Sequence, residues 1–451
     1  MRFEDLFAGA VSDGFDHGAM TASLAALGGD AIAPHAKGMP AKAGALRLAD
    51  VHLHKWNLLA GDLPAPVAFL RQSALEANSL WMQNLRAVYG VEVAPHSKTT
   101  MSPQLFAHQA ARGSFGVTVA NVQQAAVASD YGCRRIILAN QIVGRAQIEA
   151  LAALLDSCPG LEIHAFVDSA EIVRALEEAA ATTPALRRLG LLLEIGVTGG
   201  RTGCRTLADA DRVLDAILAS SLSLTGVAGY EGLIAAADGA EDAETVRHYF
   251  DRFEEVAQRA DARSAFADGP VILTAGGSSY FDVVCRRLER IALSRPAAKV
   301  LRSGCYLTHD NGTYEDHQRQ LFTRAPGLGE ALGELEPALF VSALVQSVPE
   351  PDLAILTLGK RDVGIDIGLP RPLWRFRAGA MSEPQPIDSG AYIFKLNDQH
   401  SYLRIPAGAD VRVGDLVGVG VSHPCTTFDR WRYIHVLDDD WNSVGAVATF
   451  F

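Results

Sequence analysis

The stretch GVTVANVQQAAVASDYGCRRIILAN, Gly116–Asn140, carries the reading of the fold. A short β-branched run, GVTVAN, is followed by VQQAAVASDYG, whose apolar residues recur at helical spacing, and then by a second aliphatic run, RIILAN. Strand, polar turn, amphipathic helix and strand in that order make one βα unit leading into the next. The same alternation extends outward in both directions, from about Pro64 to Tyr306. GVEVAP precedes it, and IHAFVD, LLLEIG, TGVAGY, VILTAG and KVLRSG follow it, which makes eight strand-like runs. Each is followed by a polar or glycine-containing loop, and AETVRHYFDRFEEVAQRADARS is a second clear amphipathic helix. Eight βα units predict an α/β protein with an N-terminal (β/α)8, TIM-like barrel, whose chemistry sits on the loops at the strand C-termini. A doubly wound sheet stays open as the alternative, because periodicity does not count closure.

After Tyr306 the pattern changes to alternating segments broken by Gly, Pro and Asp: DLAILTLGKRDVGIDIG, AYIFKLNDQHSYLRI, VRVGDLVGVGVSH and WRYIHVLDDDWNSVGAVATFF. That pattern reads as a C-terminal β domain. The expected division is residues 1–60 as a weakly patterned N-terminal extension, 61–310 as the barrel and 311–451 as the β domain.

Bulk composition narrows the partners. Of 451 residues, 49% are hydrophobic and 20% charged, as in an ordinary globular protein, and the formal net charge is -12. No basic patch is present to hold nucleic acid or an anionic membrane, so a small molecule is the expected partner. The start lacks a signal-peptide pattern and no apolar run is long enough to span a bilayer, so a cytoplasmic location is expected. Six cysteines without paired spacing do not form a disulfide framework.

Chemistry concentrates at the strand ends. In APHSKTTMSP, Lys98 stands after the first barrel strand, either as an ordinary solvated charge or as an amine able to form an imine with a carbonyl. His96 and Thr99 flank it, to tune it or to pack. LTAGGSSYFD follows the seventh strand, where Gly276, Gly277 and Ser278 are candidates to hold a phosphate at the start of a helix. A lysine at strand one and a phosphate cup near strand seven together point to a phosphorylated aldehyde cofactor, pyridoxal phosphate. Gln141, Arg201, Tyr230 and Tyr306 end the third, fifth, sixth and eighth strands, each either a cofactor contact or a structural polar residue. In VSHPCTTFD, His423 and Cys425 are two residues apart and are expected to point the same way from an extended segment. Imidazole with thiolate favours zinc over magnesium or calcium.

Taken together, PHSKTTMSP, ANQIVG, GGRTGCR, GYEG, TAGGSSYFD, LRSGCY and SHPCTTFD resemble the D-serine dehydratase and D-threonine aldolase family of fold-type III pyridoxal phosphate enzymes, over about Pro64 to Phe451. The resemblance implies the alanine-racemase barrel, Lys98 as the lysine that holds the cofactor, and Gly276, Gly277 and Ser278 around its phosphate. It also implies His423 and Cys425 as the metal pair, with zinc for histidine–cysteine members and manganese or a similar ion for the aldolases. The implied activity is dehydration and deamination of a D-3-hydroxy amino acid, such as D-serine, to a 2-keto acid and ammonia. Retro-aldol cleavage to glycine and an aldehyde is the alternative. A homodimer is implied by the resemblance alone.

Overall fold

The protein is described by a computed structural model that covers residues 11–41, 46–232, 234, 239–277 and 279–451, the side chains of 239–243 excepted. Ser278 therefore lies outside the described residues. The described residues build two sheets, one parallel with eight strands and one largely antiparallel with ten.

The first strand, β1 (Val67–Arg71), does not enter the barrel. It is buried at four of its five positions and pairs antiparallel with Leu339–Glu350 and parallel with Tyr433–Leu437. A strand buried on both faces reads as a continuous apolar run, and VAFL has no polar alternation to place it at a surface. The segment just before the barrel thus completes the C-terminal sheet.

The eight parallel strands are those expected from sequence: β2 (Glu92–Val93), β3 (Val117–Val119), β4 (Arg135–Gln141), β5 (Glu162–Val167), β6 (Gly190–Ile195), β7 (Ser223–Gly229), β8 (Val271–Ala275) and β9 (Ala297–Leu301). They run in the order β2-β9-β8-β7-β6-β5-β4-β3. Closure comes at the seam between β2 and β3. There His96 bridges Thr118, and the Phe115 and Thr118 N–H groups donate to the Val93 and Pro95 carbonyls at 2.8 and 2.9 Å. A doubly wound sheet would leave those edges unpaired, so the barrel reading holds. Its interior is filled by Ala94, Ile137, Phe166, Leu192, Ala228, Ile272 and Val300, as expected for a packed barrel core.

Of the N-terminal extension, His17–Gly28 is a helix whose N-cap, Asp16, accepts the Ala19 N–H. Leu27, Ile32, Leu46, Leu48 and Val51 pack against Ala446 and Ala448 of the last strand, while Asp16 N–H bonds the Gly132 carbonyl on the barrel side. The extension thus ties the two sheets together. No helix among the described residues is long and apolar enough to cross a membrane.

Candidate functional site at the barrel mouth

The expected site residues sit at strand C-termini, the catalytic face of such barrels. Lys98 lies on a single 3-10 turn, Ser97–Thr99, after β2. The turn is closed by the Thr99 and Thr100 N–H groups on the His96 and Ser97 carbonyls, and Pro103 then starts the next helix at a position where no N–H is needed. Lys98 is half-buried. His96 beside it is held neutral: burial pushes its pKa well down, and the charges of Lys98, Arg302 and Arg201 push it further. Its Nδ1 is buried without a hydrogen-bond partner, a state that commonly marks a place where water or a ligand completes the bonding.

Around the rim, Tyr230 follows β7, and the Arg201 guanidinium lies 5.1 Å from its ring centroid. Burial and the neighbouring Glu231 charge push the Tyr230 phenol up to about 12, so it stays protonated. The Arg201 loop is braced from beneath by Arg205, which donates to the carbonyls of Gly200, Arg201, Thr202 and Gly203. Gln141 turns to a protein partner, its Nε2 donating to Glu194 at 2.6 Å. Tyr306 sits in the core, where its hydroxyl accepts from Gln109 Nε2 at 3.2 Å.

At the glycine loop, Gly276 and Gly277 donate their N–H groups to the Glu231 carboxylate at 3.1 and 3.0 Å. Those amides are already satisfied, so an anion at this loop would meet the groups beyond them. These are Ser279 and the N-terminus of the helix Phe281–Arg290, whose N-cap makes no side-chain bond. Gly277 is also a tight spot: an added Cβ would lie 2.7 Å from Tyr230 Cε2. Behind the loop Arg302, buried, donates to the Gly229 carbonyl and Thr274 Oγ1 and lies 5.1 Å from the Phe166 ring centroid.

The second sheet delivers the other half of the site. His423 is extended (φ -154, ψ 118), but Cys425 stands in the first turn of a short helix, Pro424–Phe428, not on the extended segment expected for both. Proline at the first helical position starts that turn. Cys425 Sγ comes to 3.4 Å from Thr99 Oγ1 and 3.6 Å from Cys305 Sγ. The neighbouring Cys425 sulfur and its own burial push the Cys305 thiol up. Cys425 is pushed the other way, by the Cys305 thiol and, against its burial, by His423. For His423 burial opposes charge, yet Cys425 and Asp366 raise it to about 9. Its Nδ1 is 2.6 Å from Asp366 Oδ2. Among the described residues no three His, Cys, Asp or Glu side chains stand together as a ready metal cluster. His423 and Cys425 are a two-donor set.

Comparison with known proteins places this architecture. Residues 338–437 match the model of the putative serine dehydratase domain. The 3-hydroxy-D-aspartate aldolase of Paracoccus denitrificans (strain Pd 1222) is 26% identical over 395 residues, covering 86% of this chain and 92% of that protein. The D-threonine aldolase of an Arthrobacter species is 26% identical over 390 residues, covering 83% and 89%. Among solved structures, D-threonine aldolase from Filomicrobium marinum superposes with a TM-score of 0.71 at 23% identity, covering 86% of this chain and 95% of that one. D-threo-3-hydroxyaspartate dehydratase from Delftia sp. HT23 gives 0.64 at 19%, covering 87% and 99%. An alanine racemase-like protein from Idiomarina loihiensis gives 0.61 at 16%, covering 86% and 96%. The chain is alanine racemase-like in fold, and its residues 338–437 are similar to the putative serine dehydratase domain.

The matched stretch, from Ala338 to Leu437, contains both His423 and Cys425. It also contains Asp366, which sequence reasoning passed over although it stands in the quoted segment GKRDVGIDIG. Glu231 and Arg302 were likewise inside quoted motifs, GYEG and LRSGCY, with no role assigned. Cys305 stands in LRSGCY too, again with no role assigned, since nothing local shows that Cys425 will reach it.

Proposed function

We propose that this protein is a pyridoxal phosphate-dependent lyase of D-3-hydroxy amino acids that eliminates the β-hydroxyl as water, the released enamine then taking up water and losing ammonia to leave a 2-keto acid. One observation carries the reading. Thr99, next to Lys98, touches the Cys425 sulfur across 326 positions of chain, so the amine loop of the barrel and the histidine–cysteine pair of the second sheet share one mouth.

The residues fit the cofactor at Lys98, which has no hydrogen bond or ion pair to another described residue, at the unpartnered His96 Nδ1, and at the Arg201–Tyr230 pair. When bound, pyridoxal phosphate supplies the conjugated ring that stabilises negative charge at the substrate Cα. Lys98 anchors it and, once displaced by substrate, is placed to move the Cα proton. Arg201 and Tyr230, paired at the rim, would help to hold the ring. Ser279 and the N-terminus of Phe281–Arg290 provide the anion-binding end, with Gly276 and Gly277 allowing close approach.

The donor chemistry of His423 and Cys425 suits zinc, and with two protein donors the remaining positions are open to substrate and water. A divalent ion there would act as a Lewis acid on the β-oxygen, which is needed because hydroxide is a poor leaving group. The resemblance to histidine–cysteine dehydratases favours this elimination reading.

A second reading, retro-aldol cleavage to glycine and an aldehyde, is favoured by the names of the three curated relatives, all aldolases. D-serine, D-threonine and 3-hydroxy-D-aspartate assayed for keto acid, ammonia, glycine and aldehyde separate the two. Keto acid and ammonia are expected; glycine as the main product would replace elimination by cleavage. Lyase activity that persists undiminished in Cys425→Ala and after chelation would remove the metal from the scheme. A cytoplasmic homodimer remains part of this proposal, tested by sedimentation.

A further inference from the structure

The loop that carries Asp366 is tied to the His423 helix at several points. Asp366 Oδ2 meets His423 Nδ1 at 2.6 Å, and its other oxygen accepts from Thr426 Oγ1 at 2.5 Å. Gly364 N–H donates to Thr427 Oγ1 at 2.9 Å, and Ser422 Oγ donates to the Gly368 carbonyl at 2.6 Å. Gly364 has no room for a side chain, since a Cβ would run into Thr426 Oγ1. The carboxylate is thus held by two partners on one short helical segment.

An imidazole that ligates a cation must be neutral, with one N–H and one lone pair, and which nitrogen has which follows from the bond the other makes. A carboxylate accepts only. Against Asp366, Nδ1 must therefore carry the hydrogen, and the lone pair is left on Nε2, the nitrogen available to the Cys425 side. Carboxylate-to-histidine support of this kind orients ligating imidazoles and raises their basicity.

We propose that Asp366 is a positioning residue that fixes the Nδ1–H tautomer of His423, so that Nε2 and the Cys425 sulfur face one divalent cation. This rests on the metal reading above, and the test keeps the two apart. Purified protein is titrated with Co2+, following the sulfur-to-cobalt absorption band and competition with a chelator, alongside thermal melting. Wild type is expected to bind one Co2+ with a thiolate band, and His423→Ala to lose it. Asp366→Ala should bind about 10–100-fold more weakly, and Asp366→Asn, close in shape, should fall between it and wild type with an unchanged melt. Co2+ affinity in both Asp366 variants equal to wild type, with His423→Ala impaired, overturns the positioning role alone. Wild type showing no thiolate band at any Co2+ concentration overturns the metal reading and this proposal with it.

Discussion

Replacing Glu231 with Ala tests how the glycine loop is held. Glu231 is fully buried, and its two oxygens take the N–H groups of Gly276 and Gly277. It also lies within electrostatic reach of the buried Arg302. Removing the carboxylate strands two donors at about 1–3 kcal/mol each. It also takes from Arg302 the stronger of its two carboxylate countercharges, Glu194 being the other, a further loss for a buried cation. The expected destabilisation is therefore about 4 kcal/mol for Glu231→Ala. Glu231→Gln keeps one acceptor and the shape, and should lose about 1–2 kcal/mol. Urea unfolding of the cofactor-free proteins, followed by tryptophan fluorescence with equal slopes required, gives the numbers. A loss below about 1 kcal/mol for Glu231→Ala would show that water or backbone movement satisfies the amides, and would refute the assignment of Glu231 as their essential acceptor.

Wild type should give a borohydride-fixed cofactor adduct by mass spectrometry, and Lys98→Ala should abolish both that adduct and turnover; retention of either would take Lys98 out of the scheme. In Gly277→Ala the new methyl meets Tyr230 Cε2 at 2.7 Å, so the ring must shift. Cofactor affinity read by absorbance titration should drop about 10-fold, near 1.4 kcal/mol, with an unchanged melt. His164, His309 and His435 are each lowered to about 4, by burial first. Between the unfolded value of about 6.5 and 4 the unfolded chain binds protons that the native chain does not. Stability should then fall with pH by up to about 1.4 kcal/mol per pH unit for each histidine. His435→Gln should flatten that dependence in melts taken from pH 7 to 4; an unaltered slope would remove His435 from the acid response.

The eight barrel strands were legible because their information is local. β-branched runs bounded by polar turns and followed by helical periodicity need no distant partner to be recognised, and runs such as RIILAN and VILTAG fell where β4 and β8 lie. The positions of Lys98, Arg201 and Tyr230 at the barrel mouth followed from the same count, since a residue just past a parallel strand ends at one face. Closure through His96 and Thr118, the placement of β1 in the other sheet, and the meeting of Thr99, Cys305 and Cys425 depend on contacts between residues far apart in the chain. No local pattern encodes them. The tertiary structure also decided which polar groups are already paired. Glu231 takes the amides that a glycine–serine motif offers to phosphate, and Asp366 takes the histidine nitrogen that a histidine–cysteine pair leaves open. Hydrogen-bonding capacity is limited at each atom, so the allocation is settled only when distant segments compete for the same donors inside one desolvated site.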